Sequence, residues 1–155
     1  MNSLLLFPVL LLSSIFTNHG PLREAIDPTG TYTLTGTVKK NKVIGHSGEI
    51  RVLLLSENRA AFCFYINRGY PGYESGALVD TLVYDENMMR YSPSADTACT
   101  IVFRFTNRTA EIMQIYTNPH SSCGFSTGVM TPLLFQKTST AKPVIQDLSA
   151  HGITQ

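Results

Sequence analysis

Tryptophan is absent from this chain, and only three of its 155 residues are cysteine. Charged residues are also scarce, at 15% of the chain, and 12 Lys and Arg residues nearly balance 11 Asp and Glu residues. The formal charge is +1, with no block of like charge. Because capture of nucleic acid or of an anionic membrane needs clustered positive charge, this composition argues against both partners. The length suits one domain with a hydrophobic core.

Long apolar runs are missing as well, except for the leucine-rich segment 4–12. A membrane-spanning helix needs about 20 apolar residues, and this run is shorter and is followed by the polar segment 17–20. The pattern predicts a signal peptide over residues 1–20, with the mature chain starting between roughly residues 18 and 27. We therefore expect a secreted or periplasmic protein with no stable membrane insertion after signal removal.

Polar and apolar residues alternate with period two through most of the chain, which predicts β-strands. The first strand, 31–38, places Tyr32, Leu34 and Val38 on one face and four threonines on the other. Further strands are predicted at about 49–56, 60–67, 76–84, 88–92, 99–106, 109–117 and 128–136. Tight turns join most of them, so we predict an all-β antiparallel meander of about eight strands, closed into a small barrel. The barrel domain spans residues 27–137, and a flexible tail, 138–155, follows it.

One hairpin register can be predicted from charge and burial. If Arg104 lies opposite Glu111 on the outside, the phenylalanines of the strand face inward. A slip of one residue would bring Phe105 against Glu111, which disfavours that register. The same pairing puts Gln114 beside Ile101 on the apolar face. Gln114 then either lies near a barrel mouth or forms a hydrogen bond inside the lumen.

The cysteines predict one disulfide. The hairpin returns the chain beside Cys99, and a few loop residues then bring Cys123 within bridging distance. No similar return places Cys63 near either partner, so we expect its thiol to stay free. A small buried hydrophobe is the favoured role for Cys63, and a reactive or intermolecular thiol is the alternative.

A segment in the carboxyl-terminal part, Gly124-Phe125-Ser126-Thr127-Gly128, matches the G-x-S-x-G motif of serine hydrolases. In those enzymes a buried strand precedes the serine and a helix follows it, whereas here a proline-containing loop precedes Ser126 and a strand-like run follows. The expected order of the triad leaves only Asp147 and His151 as partners, both in the predicted tail. We therefore predict a protein that is not an enzyme and keep a serine hydrolase as an unfavoured alternative.

No metal or cofactor site is predicted, because His46, His120 and His151 lack the paired spacing of a zinc site. The acidic run 85–87 lacks the spacing of a calcium loop and indicates a hairpin turn. His120 is of interest since Cys123 would immobilise its loop, and the alternative is that His120 is a solvent-exposed turn residue. The sequence also has a glycosylation sequon at Asn107.

The polar connection 67–76 carries Tyr70, Tyr73, Glu74 and Ser75. Its glycines and proline break regular structure and place two tyrosines at a loop tip. Exposed aromatic loops are typical of recognition sites, so these residues and His120 are predicted to bind a partner. The alternative is that both tyrosines fold back and cap one end of the barrel.

Whether the barrel is filled or hollow separates two functions. Many large side chains are predicted to face inward, including Phe62, Phe64, Phe103, Phe105, Ile112 and Phe135. They would occupy most of the lumen at normal packing density, which favours recognition of a protein or glycan by loops at the rim. Carriage of a small apolar ligand in the lumen is the alternative.

Two patterns resemble known exported barrels. Gly30-Thr31-Tyr32 is similar to the opening motif of lipocalin-like proteins, with Tyr32 where those proteins usually have tryptophan. Cys99 followed by Cys123-Gly124-Phe125 and Gly128-Val129 resembles small exported bacterial barrels, including lysozyme-inhibitor-like proteins. Periplasmic lysozyme inhibitors often insert a Ser-Gly-x-x-Tyr loop into the enzyme. Ser75-Gly76 matches the first two residues of that loop, but Val79 stands where the loop has tyrosine, so the resemblance does not extend to the inhibitory tyrosine. The resemblance covers the carboxyl-terminal third best.

Overall fold

The computed structural model describes residues 25–126, 129 and 132–145. The strands are β1 Gly30–Leu34, β2 Thr37–Lys39, β3 Lys42–Ile44, β4 Ser47–Ser56, β5 Arg59–Asn67, β6 Ser75–Asp85, β7 Met88–Tyr91, β8 Cys99–Phe105, β9 Thr109–Tyr116 and β10 Leu133–Ser139. Eight of them form a closed antiparallel barrel in the order β1-β10-β9-β8-β7-β6-β5-β4, and β2 and β3 form a separate hairpin. The predicted all-β meander and its closure are confirmed. The predicted signal peptide and most of the predicted tail lie outside the described residues.

Within the described part of the chain, no helix is long and apolar enough to cross a membrane.

The first predicted strand, 31–38, is wrong at its carboxyl end, because β1 stops at Leu34 and the chain then forms the β2–β3 hairpin. Lys40 and Asn41 make the hairpin turn with positive φ angles of 49° and 59°, a conformation that asparagine tolerates well. The simple alternation predicts Val38 inside the barrel, but Val38 lies on the hairpin and is 68% exposed.

The last predicted strand, 128–136, begins too early, because β10 runs from Leu133 to Ser139. Pro132 precedes it, and proline has no N–H to contribute to a ladder. At its other end the strand continues two residues beyond the predicted barrel, where the hydroxyls of Thr138 and Thr33 hydrogen-bond at 3.0 Å. The pairing of β10 with β1 closes the barrel.

The predicted register of the β8–β9 hairpin is confirmed. Arg104 lies opposite Glu111, and the guanidinium Nη1 is 3.7 Å from the carboxylate Oε2. Gln114 lies opposite Ile101, and its side-chain amide donates to Cys99 Sγ at 3.4 Å. Because Cys99 begins β8, this contact places Gln114 next to a barrel mouth.

Aromatic rings fill the lumen. The six side chains predicted to face inward are all buried, at 2% exposure or less: Phe62, Phe64, Phe103, Phe105, Ile112 and Phe135. Phe103 packs edge-on against Phe62 and Phe64, with ring centroids 5.1 and 5.7 Å apart. The interior of the barrel is therefore a packed core.

The two ends of the barrel differ, since the antiparallel strands send their connections alternately to opposite ends. One end, named the closed end, carries the tight turns 57–58, 86–87 and 106–108, the last of which holds the sequon residue Asn107. The segment 25–29 covers this end, with the Tyr84 hydroxyl donating to the Ile26 carbonyl at 2.5 Å. The opposite end, named the loop end, carries the long connections 35–46, 68–74, 92–98 and 117–132. The loops with potential binding residues therefore share one end.

Candidate functional site

A disulfide and a carboxylate hold two of the long loops together at the loop end. Cys99 and Cys123 are bridged, as predicted, with their Cα atoms 5.2 Å apart. Asp96 Oδ2 accepts hydrogen bonds from the Ser121 hydroxyl at 2.6 Å and from the backbone N–H groups of Ser122 and Cys123 at 3.1 Å. The Ser121 hydrogen bond contributes most to lowering the pKa of Asp96 below its ordinary value of 3.8. These contacts fix the 117–132 loop against the 92–98 loop.

Phe125 closes the lumen at the loop end. Its ring packs on Phe64, with centroids 6.1 Å apart, and it lies against the backbone of Gly76. A Cβ at position 76 would collide with the Phe125 ring, so glycine is required there by packing. This role of Phe125 was not predicted, although its position two residues after the cross-linked Cys123 is a sequence signal for an anchored side chain.

Tyr70 and Tyr73 do not cap the barrel. Each is 44% exposed, and their rings pack edge-on against each other with centroids 6.3 Å apart. Neither ring is among the side chains described as packed against the barrel core, whereas Phe125 is. The two rings instead form an exposed aromatic pair, which we name the tyrosine pair.

The tyrosine pair is held by the β2–β3 hairpin. The Tyr70 N–H donates to the Val43 carbonyl at 2.7 Å, and the Tyr73 N–H donates to the Gly69 carbonyl at 2.8 Å. Lys42 Nζ lies 3.9 Å from the centroid of the Tyr70 ring, a cation–π contact. Lys42 was not predicted to lie here, because the predicted first strand ends at Val38 and no hairpin was predicted after it.

Glu74 and Ser75 lie beside the tyrosine pair, at the point where the loop enters β6. The Arg68 N–H donates to the Glu74 carbonyl at 2.9 Å, and Arg68 Nη1 is 3.8 Å from Glu74 Oε2. Ser75 is exposed and lies opposite Asn67. These bonds span the loop and limit its conformations.

His120 lies on the disulfide loop, apart from these residues. It is exposed, and its N–H donates to Asn118 Oδ1 at 3.0 Å. No hydrogen bond, ion pair or ring contact described for the structure joins His120 to the tyrosine pair. All five predicted binding residues therefore lie at the loop end, four of them on or next to the 68–74 loop and His120 on the 117–132 loop.

Of the hydrolase motif, the structure describes Gly124, Phe125 and Ser126. Ser126 is exposed in a loop, and its carbonyl accepts from the Val129 N–H at 3.1 Å. The possible triad partners Asp147 and His151 lie outside the described residues. In the part of the chain that the structure describes, no group of three His, Cys, Asp or Glu side chains could hold a metal ion.

Cys63 is free, as predicted, but the prediction of a buried side chain is wrong. Phe62 and Phe64 face the lumen, and strand alternation therefore turns Cys63 to the outer wall, where it is half-buried. Its strand neighbours there are Arg51 and Val79.

Comparison with models of protein families, with curated proteins and with solved structures finds no match to this chain.

Proposed function

We propose that the chain is an exported, non-catalytic binding protein that recognises a partner protein or glycan through the loops of the loop end. The observation that carries this proposal is the tyrosine pair, which is exposed on a loop held to a neighbouring hairpin by backbone hydrogen bonds. Tyrosine supplies a large contact area with few rotatable bonds, so little entropy is lost on binding.

Three further features support this function. The disulfide agrees with an oxidising compartment, which fits a secreted or periplasmic protein. Lys42 and Arg68 place positive charge beside the tyrosines, and Glu74 adds a carboxylate. The site therefore offers aromatic faces together with hydrogen-bond donors and acceptors, which suits a polar protein surface or a sugar chain.

Carriage of a small apolar ligand in the lumen is less favoured. Packed aromatic rings occupy the interior, and Phe125 closes the loop end. A carrier needs a pocket of several hundred Å3 that encloses most of its ligand. An enclosed pocket of this size within the lumen would require several core rings to leave their positions.

The proposal is tested with the variant Tyr70→Ala/Tyr73→Ala, immobilised and exposed to a native extract and to a glycan array. We expect loss of a partner that the wild-type protein captures, with an unchanged melting temperature. The matched control is Leu55→Ala/Val83→Ala, which removes two exposed apolar side chains towards the closed end and should retain capture. Undiminished capture by the tyrosine variant would contradict the proposal.

A further inference from the structure

The barrel wall is open along part of β6. This strand pairs with β5 over nine residue pairs, from Ser75 to Val83, but it pairs with β7 only through Tyr84–Met89 and Asp85–Met88. The reason is that β7 has four residues and ends at Tyr91, shortly before Pro93. Within the described residues, the side of β6 that faces β7 therefore has no ladder partner from Ser75 to Val83. We name this opening the seam.

The direction of the backbone groups in β6 follows from one hydrogen bond. The Tyr84 N–H donates to the Asn58 carbonyl at 2.9 Å, so even-numbered residues of β6 direct their N–H and C=O groups towards β5. Alternation then directs those of Ala77, Val79 and Thr81 into the seam. The Thr81 N–H is met by the side chain of its neighbour Asp80, whose Oδ1 accepts at 2.6 Å. The seam therefore presents the edge of a β-strand inside an otherwise closed barrel.

A cleft of about 380 Å3 lies next to this edge, at the loop end. Leu78 and Phe125 supply apolar surface to it, and Tyr91 and Pro93 line its opposite wall. Its volume falls within the range of about 300 to 1,000 Å3 that is typical of ligand sites. Of the residues that direct backbone groups into the seam, Ala77 lines the cleft, which therefore lies at the loop-end part of the β6 edge.

Asp80 brings negative charge to the seam. By strand alternation it belongs to the inner face, opposite the fully buried Phe62, yet it is exposed because the wall is open there. Tyr91 lies opposite the fully buried Ile101, so it belongs to the same inner face. Burial, together with the negative charge of Asp80, raises the pKa of Tyr91. Among the described residues, no basic side chain lies within salt-bridge distance of Asp80.

We propose that the seam binds an extended peptide segment of a partner protein, which adds to β6 as a strand and places a Lys or Arg side chain beside Asp80 and Tyr91. An extended backbone is the partner that matches alternating donors and acceptors at strand spacing. Asp80 selects positive charge, and the Tyr91 ring can stack on the cation. A second copy of this chain would bring a second Asp80 to the same edge, and like charges oppose such pairing. This inference does not depend on the tyrosine pair.

The test uses the full chain, labelled with 15N, and an acetylated peptide of alternating Thr and Val with a central Arg. Versions with central Gln and Glu serve as controls. We expect saturable shifts in the backbone amides of residues 77–83 and 91–95, with binding of the Arg peptide about tenfold tighter than that of the Glu peptide. Asp80→Asn should remove this preference, whereas Asp85→Asn, at the closed end of the same strand, should keep it.

Peptide N-methylation separates strand addition from contact by side chains alone. Methylation of the alternate amides that face β6 should abolish binding, and methylation of the other set should preserve it. The proposal would be overturned if methylation of the two sets of amides had equal effects or if the Arg and Glu peptides bound equally well. It would also be overturned if the chemical-shift changes fell outside the seam. A peptide-independent dimer that Val79→Pro dissociates would also overturn it, in favour of self-association through β6.

Discussion

The ring of Phe125 packs against that of Phe64, with centroids 6.1 Å apart, and so joins the disulfide loop to the barrel core. Gly76 makes this contact possible, because a Cβ at its position would occupy the space of the Phe125 ring. Phe125 and the disulfide therefore attach the 117–132 loop to the core and to β8. A rigid base for recognition loops reduces the ordering cost of binding.

The first prediction concerns this pair. Gly76→Ala should destabilise the protein by about 1–3 kcal/mol, because the added methyl group displaces the Phe125 ring. The same substitution in a Phe125→Ala background should cost much less, since the space is then free. Urea unfolding of the wild type, the two single variants and the double variant measures the coupling between the two substitutions in the free energy of unfolding. Additive effects of the two substitutions would show that the contact does not determine the loop position.

The second prediction concerns the disulfide. Replacing Cys99 and Cys123 by serine should cost roughly 3 kcal/mol in the chain-entropy model, because the bridge restricts the unfolded chain. Non-reducing peptide mapping should find Cys99 joined to Cys123, and a thiol reagent should label Cys63 in the native protein. A bridge that contains Cys63 would contradict the structure.

The third prediction concerns the pH dependence of the loop end. The folded state lowers the pKa of Asp96, so the ionised carboxylate stabilises the fold at neutral pH. This stabilisation is present above the unfolded pKa and is lost as the pH falls below 3.8 and through the lower folded value. The melting temperature of Asp96→Ala should therefore lie below that of the wild type at pH 7 and approach it in acid. A difference that does not change with pH would show that the Asp96 hydrogen bonds do not stabilise the fold.

The fourth prediction compares two neighbours on β8. Phe103→Ala should cost about 3–5 kcal/mol, because it removes a fully buried ring that contacts two others. Arg104→Ala should cost less than about 1 kcal/mol, because its ion pair with Glu111 is exposed to solvent. Urea unfolding of both variants is the measurement, and similar costs would contradict the assignment of inner and outer faces.

The sequence predicts the barrel well wherever a strand has one buried and one exposed face. Alternation then identifies inward residues such as Phe103 and Phe105, and a charged pair such as Arg104 and Glu111 indicates the register. The β2–β3 hairpin escapes the same reasoning, because Val38 continues the alternation of β1 by coincidence. Residues 35 and 36 separate β1 from β2. The chain then reverses at Lys40 and Asn41, whose positive φ angles alternation does not report.

The candidate site is predictable only in part. Turn-forming residues around Tyr70 and Tyr73 predict an exposed loop, but the contact with Lys42 depends on the β2–β3 hairpin, which the alternation pattern does not indicate. Asp80 offers a clearer sequence indication, since a carboxylate at an inward position suggests a break in the wall. The length of β7, which creates that break, depends on pairing across the barrel and is not visible in local sequence.

The central claim is that the loop end is the surface that recognises a partner. Hydrogen–deuterium exchange of the protein, alone and with its captured partner, tests this claim most directly. We predict added protection in the tyrosine-pair loop, 68–74, and in the β2–β3 hairpin, with no change in the turns 57–58 and 86–87. Protection confined to those turns and to the segment 25–29 would place the partner at the closed end and contradict the account.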